Sequence, residues 1–165
     1  ALWRGWLPAT MRLPPDPRID HLVPHQGAVP SDLGRAPFAV LLAHVDELLR
    51  QPGGEQRLLA SLDARLQAAP QHEEARLLRA VLLHRTGQDR QALECLQGGG
   101  LVGGPDLRAR YLAAVLALLL GDRPLLREAL RRDGGNLSAS ELDQAGARLP
   151  LLDRPRGEQL LAAAE

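Results

Sequence analysis

Lysine is absent from this chain, so apart from histidine every basic side chain is an arginine. The 20 basic residues are matched by 20 acidic ones, for a formal net charge of zero. That balance gives no whole-chain electrostatic footprint for nucleic acid or an anionic membrane surface. Aromatics make up 2% of the residues (Trp3, Trp6, Phe38 and Tyr111), so a core has to be built from Leu, Ala and Val. Ile19 is the single isoleucine and β-branched residues are sparse, which argues against a sheet-rich fold. Cys95 is the single cysteine, which excludes an internal disulfide and a thiolate metal site while leaving the redox compartment open. No apolar run reaches the roughly 18 residues that a membrane-spanning helix needs. The apolar stretch 112–120 is too short for one. No signal-peptide layout is visible, and the sequence begins with Ala, which leaves room for a targeting or anchoring segment upstream. Compartment stays open between cytoplasm and periplasm, with tethering to a membrane through such a segment as a further option.

What is present favours helix. At 165 residues, with 45% hydrophobic and 24% charged residues, the composition is that of one globular domain, or one domain with an arm. Leu and Ala dominate, and both are strong helix formers, so the fold class expected is all-α. Abundant Ala, Gly, Pro and Leu, together with arginine-only basic usage, point to a GC-rich and bacterial coding origin.

Residues 1–36 differ from the rest. Pro8, Pro14, Pro15, Pro17, Pro24 and Pro30 remove backbone donors and fix φ, which excludes a long helix or a central strand. The segment is predicted to be an extended, Pro-rich arm with polyproline-like pieces. Its apolar residues, Trp3, Trp6, Leu7, Leu13, Ile19, Leu22 and Val23, leave three readings open. The arm lies against the helical body, runs beside a membrane surface, or orders on a partner.

From residue 37 to 165 the pattern is helical and it repeats. Gly53, Gly87 and Gly121 stand 34 residues apart. Arg76, Leu78, Ala80, Val81, Leu82 and Leu96 return as Arg110, Leu112, Ala114, Val115, Leu116 and Leu130. A period of 34 marks stacked helix–turn–helix units, none of which can bury its apolar face alone. The expected helices cover 38–51 and 55–69, then 74–86 and 89–97, then 107–120 and 124–132, with a last pair from about 138 to 149 and from about 155 to the end. Ser31 or Asp32 can cap a first turn, Pro37 suits a first helical position, Asp106 caps the helix at 107, and Ser138 or Ser140 caps the helix that follows. The run GGGLVGGP at 98–105 is expected to be a flexible connection that shortens the helix before it. Asp133, Gly134, Gly135 and Asn136 form a turn cluster. The motif PGGEQRLLA at 52–60 is echoed by PRGEQLLAA at 155–163.

The unit 75–97 resembles a tetratricopeptide repeat. Ala80 and Ala114 are the small residues at the packing position of the first helix, Gly53, Gly87 and Gly121 stand at the inter-helix turns, Ala92 begins the second helix's packing face, and Pro70 closes a repeat. The family's bulky aromatics are replaced by Arg76 and Arg110 at one position and by Leu83 and Ala117 at another, and the resemblance covers about 38–165. It implies a right-handed superhelix of about four stacked antiparallel helix pairs, an α-solenoid. It also implies a concave face lined by the first helix of each pair: Val40, Ala43 and Glu47, then Glu74, Leu77, Val81 and His84, then Arg108, Tyr111, Val115 and Leu118, then Leu142, Ala145 and Leu149. Such a groove would be mainly apolar and would suit a peptide or amphipathic helix of another protein, with Tyr111 as its best anchor. Capture of a C-terminal carboxylate is not expected, because Ala43, Glu47 and Leu78 stand where that mode needs basic and amide groups. The arm or neighbouring helices could instead fill the same face.

Sites for chemistry are weakly marked. His21 and His25 are four apart, but Pro24 prevents a shared helical face, and no metal is expected. His44, His72 and His84 are scattered, and Cys95 sits among Ala92, Leu93 and Leu96 as a packed thiol. GGGLVGG lacks the Lys and Ser or Thr of a phosphate loop, and NLS at 136–138 suits a helix cap better than a glycosylation acceptor. No nucleophile–base signature is present, and no cofactor is expected. The leading expectation is a non-catalytic scaffold or adaptor that binds another protein. The alternatives are a soluble accessory domain of a membrane-anchored envelope secretion or polymer-export assembly, and a helical enzyme or cofactor-binding domain.

Overall fold

The computed structural model describes residues 32–165, so Ser31 and nearly all of the expected arm lie outside the described residues. Eight helices take in 67% of the described residues, which makes the class all-α. They are α1 (Phe38–Arg50), α2 (Gly54–Ala68), α3 (Glu73–Arg85), α4 (Asp89–Gly98), α5 (Leu107–Leu120), α6 (Arg123–Leu130), α7 (Ala139–Ala147) and α8 (Gly157–Ala164). Two short strands, β1 (Arg131–Arg132) and β2 (Gly135–Asn136), form a hairpin between α6 and α7. The chain divides into two compact units, one ending at Pro70 and one beginning at Gln71.

In the first unit a turn at Asp32 precedes α1, with the Ala36 N–H donating to the Asp32 carbonyl. Pro37 is the N-cap rather than the first helical residue, and its carbonyl accepts from Val40 and Leu41. Helices α1 and α2 pack as an antiparallel pair around Leu41, Val45, Leu48, Leu58 and Leu62, all fully buried. Arg65 of α2 ties the entering chain down by donating to the Leu33 carbonyl at 3.1 Å and to the Ala36 carbonyl, with its guanidinium 5.6 Å above the Phe38 ring.

The second unit contains the clearest repetition. Helix α3 pairs with α4, and α5 with α6. At the turns, Gly53, Gly87 and Gly121 have φ of 73°, 75° and 70°. All three occupy the left-handed region that other residues enter only at a cost. The turns at Gly87 and Gly121 are the same, with the Gln88 and Asp122 N–H groups donating to the Leu83 and Ala117 carbonyls, whereas after Gly53 the Gly54 N–H donates to Gln51. Two arginines repeat as well. Arg76 donates from α3 to the Cys95 carbonyl at 3.3 Å, and Arg110 donates from α5 to the Ala129 carbonyl at 2.9 Å. Each joins the first helix of its pair to the last turn of the second, satisfying a carbonyl that has no partner inside its own helix.

The 98–105 connection is held rather than loose. Leu101 and Val102 are buried in the core, and Leu101 N–H donates to the Leu96 carbonyl. A side chain on Gly99 would meet Arg76, so glycine there makes room for the arginine that clamps Cys95. Helix α6 stops at Leu130, two residues before the expected end, because the chain turns into β1. Asp133 and Gly134 form the two-residue hairpin loop, with Gly134 at φ 87°. Ser138 caps α7 in a capping box with Glu141, as the S-x-x-E spacing signals.

The last pair departs from the repeat. Residues 148–156 separate α7 from α8 in place of a tight glycine turn, and α7 packs chiefly on α5 and α8. Helix α8 packs on α6, α7 and α5. The echoed motifs place Gly54 and Gly157 both at a helix start, and both because backbone passes too close for a side chain, but the backbones differ. Gly54 abuts the Leu48 carbonyl at the end of the preceding helix, whereas Gly157 abuts Ala139 at the beginning of α7.

Gly87→Ala and Gly121→Ala are each expected to lower stability by about 1–2 kcal/mol, since neither position has neighbours to clash with and only the left-handed backbone is penalised. Gly103→Ala, which also meets open space but lacks positive φ, is expected to be near neutral. Urea denaturation of the three variants checks this; equal behaviour of all three would refute the shared turn geometry.

Candidate binding surface

Helix α5 decides which surfaces are available. Its sequence, LRARYLAAVLALLL, is apolar on nearly every side, and ten of its fourteen residues are buried. A helix with apolar residues all round has no face suited to water and settles in the middle of a domain. Here α4, α6, α7 and α8 surround it.

The ten positions of the second unit nominated from sequence therefore part company. Leu77, Val81, Tyr111, Val115, Leu142 and Ala145 are buried, as is Leu149 beyond them. Six of the ten positions expected to line an open groove are thus enclosed within the unit. Helix α7, which would supply the next stretch of concave wall, lies against α5, and the residues meant to meet a partner are packed inside the unit. Glu74, His84 and Leu118 are half-buried, and Arg108 is nearly so deep as the core. In the first unit Val40 is buried, while Ala43 and Glu47 are exposed.

Tyr111 shows the arrangement most sharply. It is 1% exposed, its hydroxyl donates to the Pro155 carbonyl at 2.7 Å, and its ring lies against Gly146 of α7. A methyl group at position 146 would come within 2.6 Å of the ring carbon that bears the hydroxyl. The side chain nominated as an anchor for a partner is thus the anchor for the chain's own last helix pair. Burial, aided by Asp143, pushes its phenol up to about 12.

Glu74 and Arg108 occupy equivalent places in successive pairs, 34 residues apart, and bond each other at 2.6 Å. Arg108 also holds Asp106 at 2.7 Å, while Asp106 caps α5 by accepting from the Arg108 N–H. Burial opposes charge at both Asp106 and Arg108, yet their mutual hydrogen bonds and attraction prevail, leaving the carboxyl below and the guanidinium above their ordinary values. This cluster joins α3 to α5 and is structural. His84 is likewise engaged, in a 2.6 Å contact with Asp89 across the α3–α4 turn.

The large apolar side chains exposed among the described residues were not singled out from sequence. Leu119 and Leu120, at the end of α5, are 58% and 38% exposed, and Leu152, in the α7–α8 connection, is 84% exposed. Leu118 adjoins the first two. The signal was present in the run LALLL, which continues to the last turn of a helix that is otherwise enclosed. Among the described residues no group of His, Cys, Asp and Glu is arranged to hold a metal ion, and no helix is long and apolar enough to cross a membrane. His21 and His25 lie outside the described residues. No known protein family, curated protein or solved structure matches the chain.

Gly146→Ala is expected to cost about 1–3 kcal/mol through overpacking against Tyr111. The raised phenol also sets a sign for alkaline behaviour. Between the ordinary tyrosine value near 10 and the folded value of about 12, the folded state holds the proton and the unfolded state releases it, so stability falls as pH rises through that window. Tyrosinate absorbance of this single tyrosine is expected to titrate near 12, and Tyr111→Phe to remove that part of the alkaline stability loss.

Proposed function

We propose that this chain is a non-catalytic scaffold or adaptor that binds another protein through the surface of stacked, tetratricopeptide-like helical hairpins. The observation that carries the reading is the 34-residue register, which joins equivalent backbone turns, equivalent arginine clamps and the Glu74–Arg108 bond between successive pairs. Stacked hairpins of this kind present a broad, preformed surface, and binding to such a surface avoids much of the ordering cost that a flexible one incurs. That the repeated hairpins stack as a solenoid belongs to this proposal.

The point of contact differs from the groove expected from sequence. With Tyr111 and Val115 enclosed, the apolar contact falls to Leu118, Leu119 and Leu120 at the end of α5, where partly exposed leucines stand at the edge of a rigid helix. Rigid backbone beneath exposed apolar side chains favours burial by a partner over local rearrangement.

Affinity capture with quantitative mass spectrometry, run in parallel on the unaltered chain and on Leu119→Asp combined with Leu120→Asp, tests the reading. Proteins retained by the unaltered chain are expected to fall at least about tenfold with the double variant. Helical circular dichroism should be unchanged, since exposed substitutions typically shift stability by no more than about 0.5 kcal/mol. Identical retention by both chains would remove the leucine edge from the proposal, and retention of nothing by the unaltered chain would remove the adaptor role.

A further inference from the structure

The two-residue loop of the β1–β2 hairpin is Asp133–Gly134, the single Asp-Gly pair in the chain. Both residues are exposed, and a side chain built on Gly134 would meet nothing. No hydrogen bond or ion pair engages the Asp133 carboxyl among the described residues, and the neighbouring Arg132 pairs with Glu141 instead, at 2.7 Å. The Gly134 N–H is equally free there, since the backbone bonds of the region join the paired strands and run from the Leu137 N–H to the Leu130 carbonyl. A carboxyl and the next residue's amide nitrogen thus lie side by side, both uncommitted and both open to water.

Every other aspartate, and Asn136, is followed by a residue that carries a side chain. A β-carbon on the following residue crowds its amide nitrogen, and only glycine lacks one. Several of those carboxylates are also committed. Asp106 and Asp122 cap α5 and α6, Asp89 holds His84 at 2.6 Å, and Asp143 accepts from the Gly157 N–H at 2.7 Å. Asn136 lies on the same hairpin, but the residue after it is the buried Leu137, and its backbone is paired with Arg131.

We propose that Asp133 is a site of spontaneous backbone isomerisation, which makes the aged chain a substrate for an isoaspartyl methyltransferase that uses S-adenosylmethionine. The Gly134 nitrogen attacks Cγ of the protonated Asp133 carboxyl. A C–N bond forms, the C–O bond to the hydroxyl breaks, and water leaves with the nitrogen's proton, closing a five-membered succinimide. Water then opens the ring. Attack at the side-chain carbonyl restores aspartate, and attack at the main-chain carbonyl leaves the chain running through Cβ and Cγ as isoaspartate. No oxidant or reductant takes part. The isomer lengthens the main chain by one carbon in a loop whose two-residue length matches the twist of its strands. That change loosens the pairing of Arg131 with Asn136, and with it the Arg131 carbonyl that accepts from Arg110. The inference is independent of the adaptor reading.

Ageing the full chain for several weeks at neutral pH, folded and in parallel in urea, tests this. Isoaspartate is read as methyl groups transferred from radiolabelled S-adenosylmethionine by a purified isoaspartyl methyltransferase, and is located by peptide mapping. In the folded chain the label is expected to fall on residue 133 ahead of all other aspartates together. It is expected to be lost in Asp133→Glu, whose longer side chain closes the corresponding ring far more slowly. Asp133→Asn is expected to speed the reaction, releasing ammonia in place of water. Both substitutions fall on an exposed position and keep the fold. The urea midpoint of the aged chain is expected to drop and to recover after methyltransferase repair. Label confined to the urea-treated chain would mean that the hairpin holds the pair shut, and would overturn the site. Label spread over the other aspartates, or undiminished in Asp133→Glu, would overturn it too. An isomerised chain with an unaltered urea midpoint would overturn the link to Arg110.

Discussion

The enclosure of α5 is the constraint on which the second unit depends. Fourteen residues with almost no polar face have to be kept from water on every side, and a single helical hairpin covers only one of those sides. Each fully buried leucine contributes roughly 1.5–3 kcal/mol relative to exposure, so leaving this helix half open would forgo a large part of the unit's stability. Helices α4, α6, α7 and α8 close around it, and the departure of the last pair from the repeat follows from that need. The observed arrangement places the Tyr111 ring on Gly146 and its hydroxyl on the Pro155 carbonyl.

Around this helix the repeat is expressed in polar detail as much as in apolar packing. Arg76 and Arg110, 34 residues apart, each span to the partner helix and end on a backbone carbonyl. An arginine can do this because its stem packs like a hydrocarbon while its planar head reaches an acceptor at the edge of the core. The chain is thereby built with almost no aromatic side chains. The cost is spatial: Gly99 has to stay without a side chain for Arg76 to pass, which explains part of a glycine run that otherwise looks like a linker.

The same chemistry shapes the surface. Guanidinium groups used as clamps end on neutral carbonyls, and where α6 turns into the hairpin they gather among Glu128, Asp133, Glu141 and Glu165. The apolar residues left at the surface are few and sit where α5 emerges from its enclosure. The exposed leucines lie at the margin of the central helix, while Leu77, Val81, Tyr111 and Val115 lie inside the unit.

Local chemistry was legible along the chain. The helices, the Asp106 and Ser138 caps, and the left-handed turns at Gly53, Gly87 and Gly121 depend on a few adjacent residues, and those residues carry the information themselves. The 34-residue period was likewise readable, since it recurs as identical side chains. Three-dimensional packing alone decided which way α7 leaned, and with it the burial of Tyr111, Val115, Leu142 and Ala145. Periodicity assigns a residue to a helix face, but it does not say what lies against that face; on a helix apolar all round, even the choice of face carries no information. The bond between Glu74 and Arg108 and the gathering of arginines beside the hairpin join residues far apart in sequence, so they came into view only once the helices were placed.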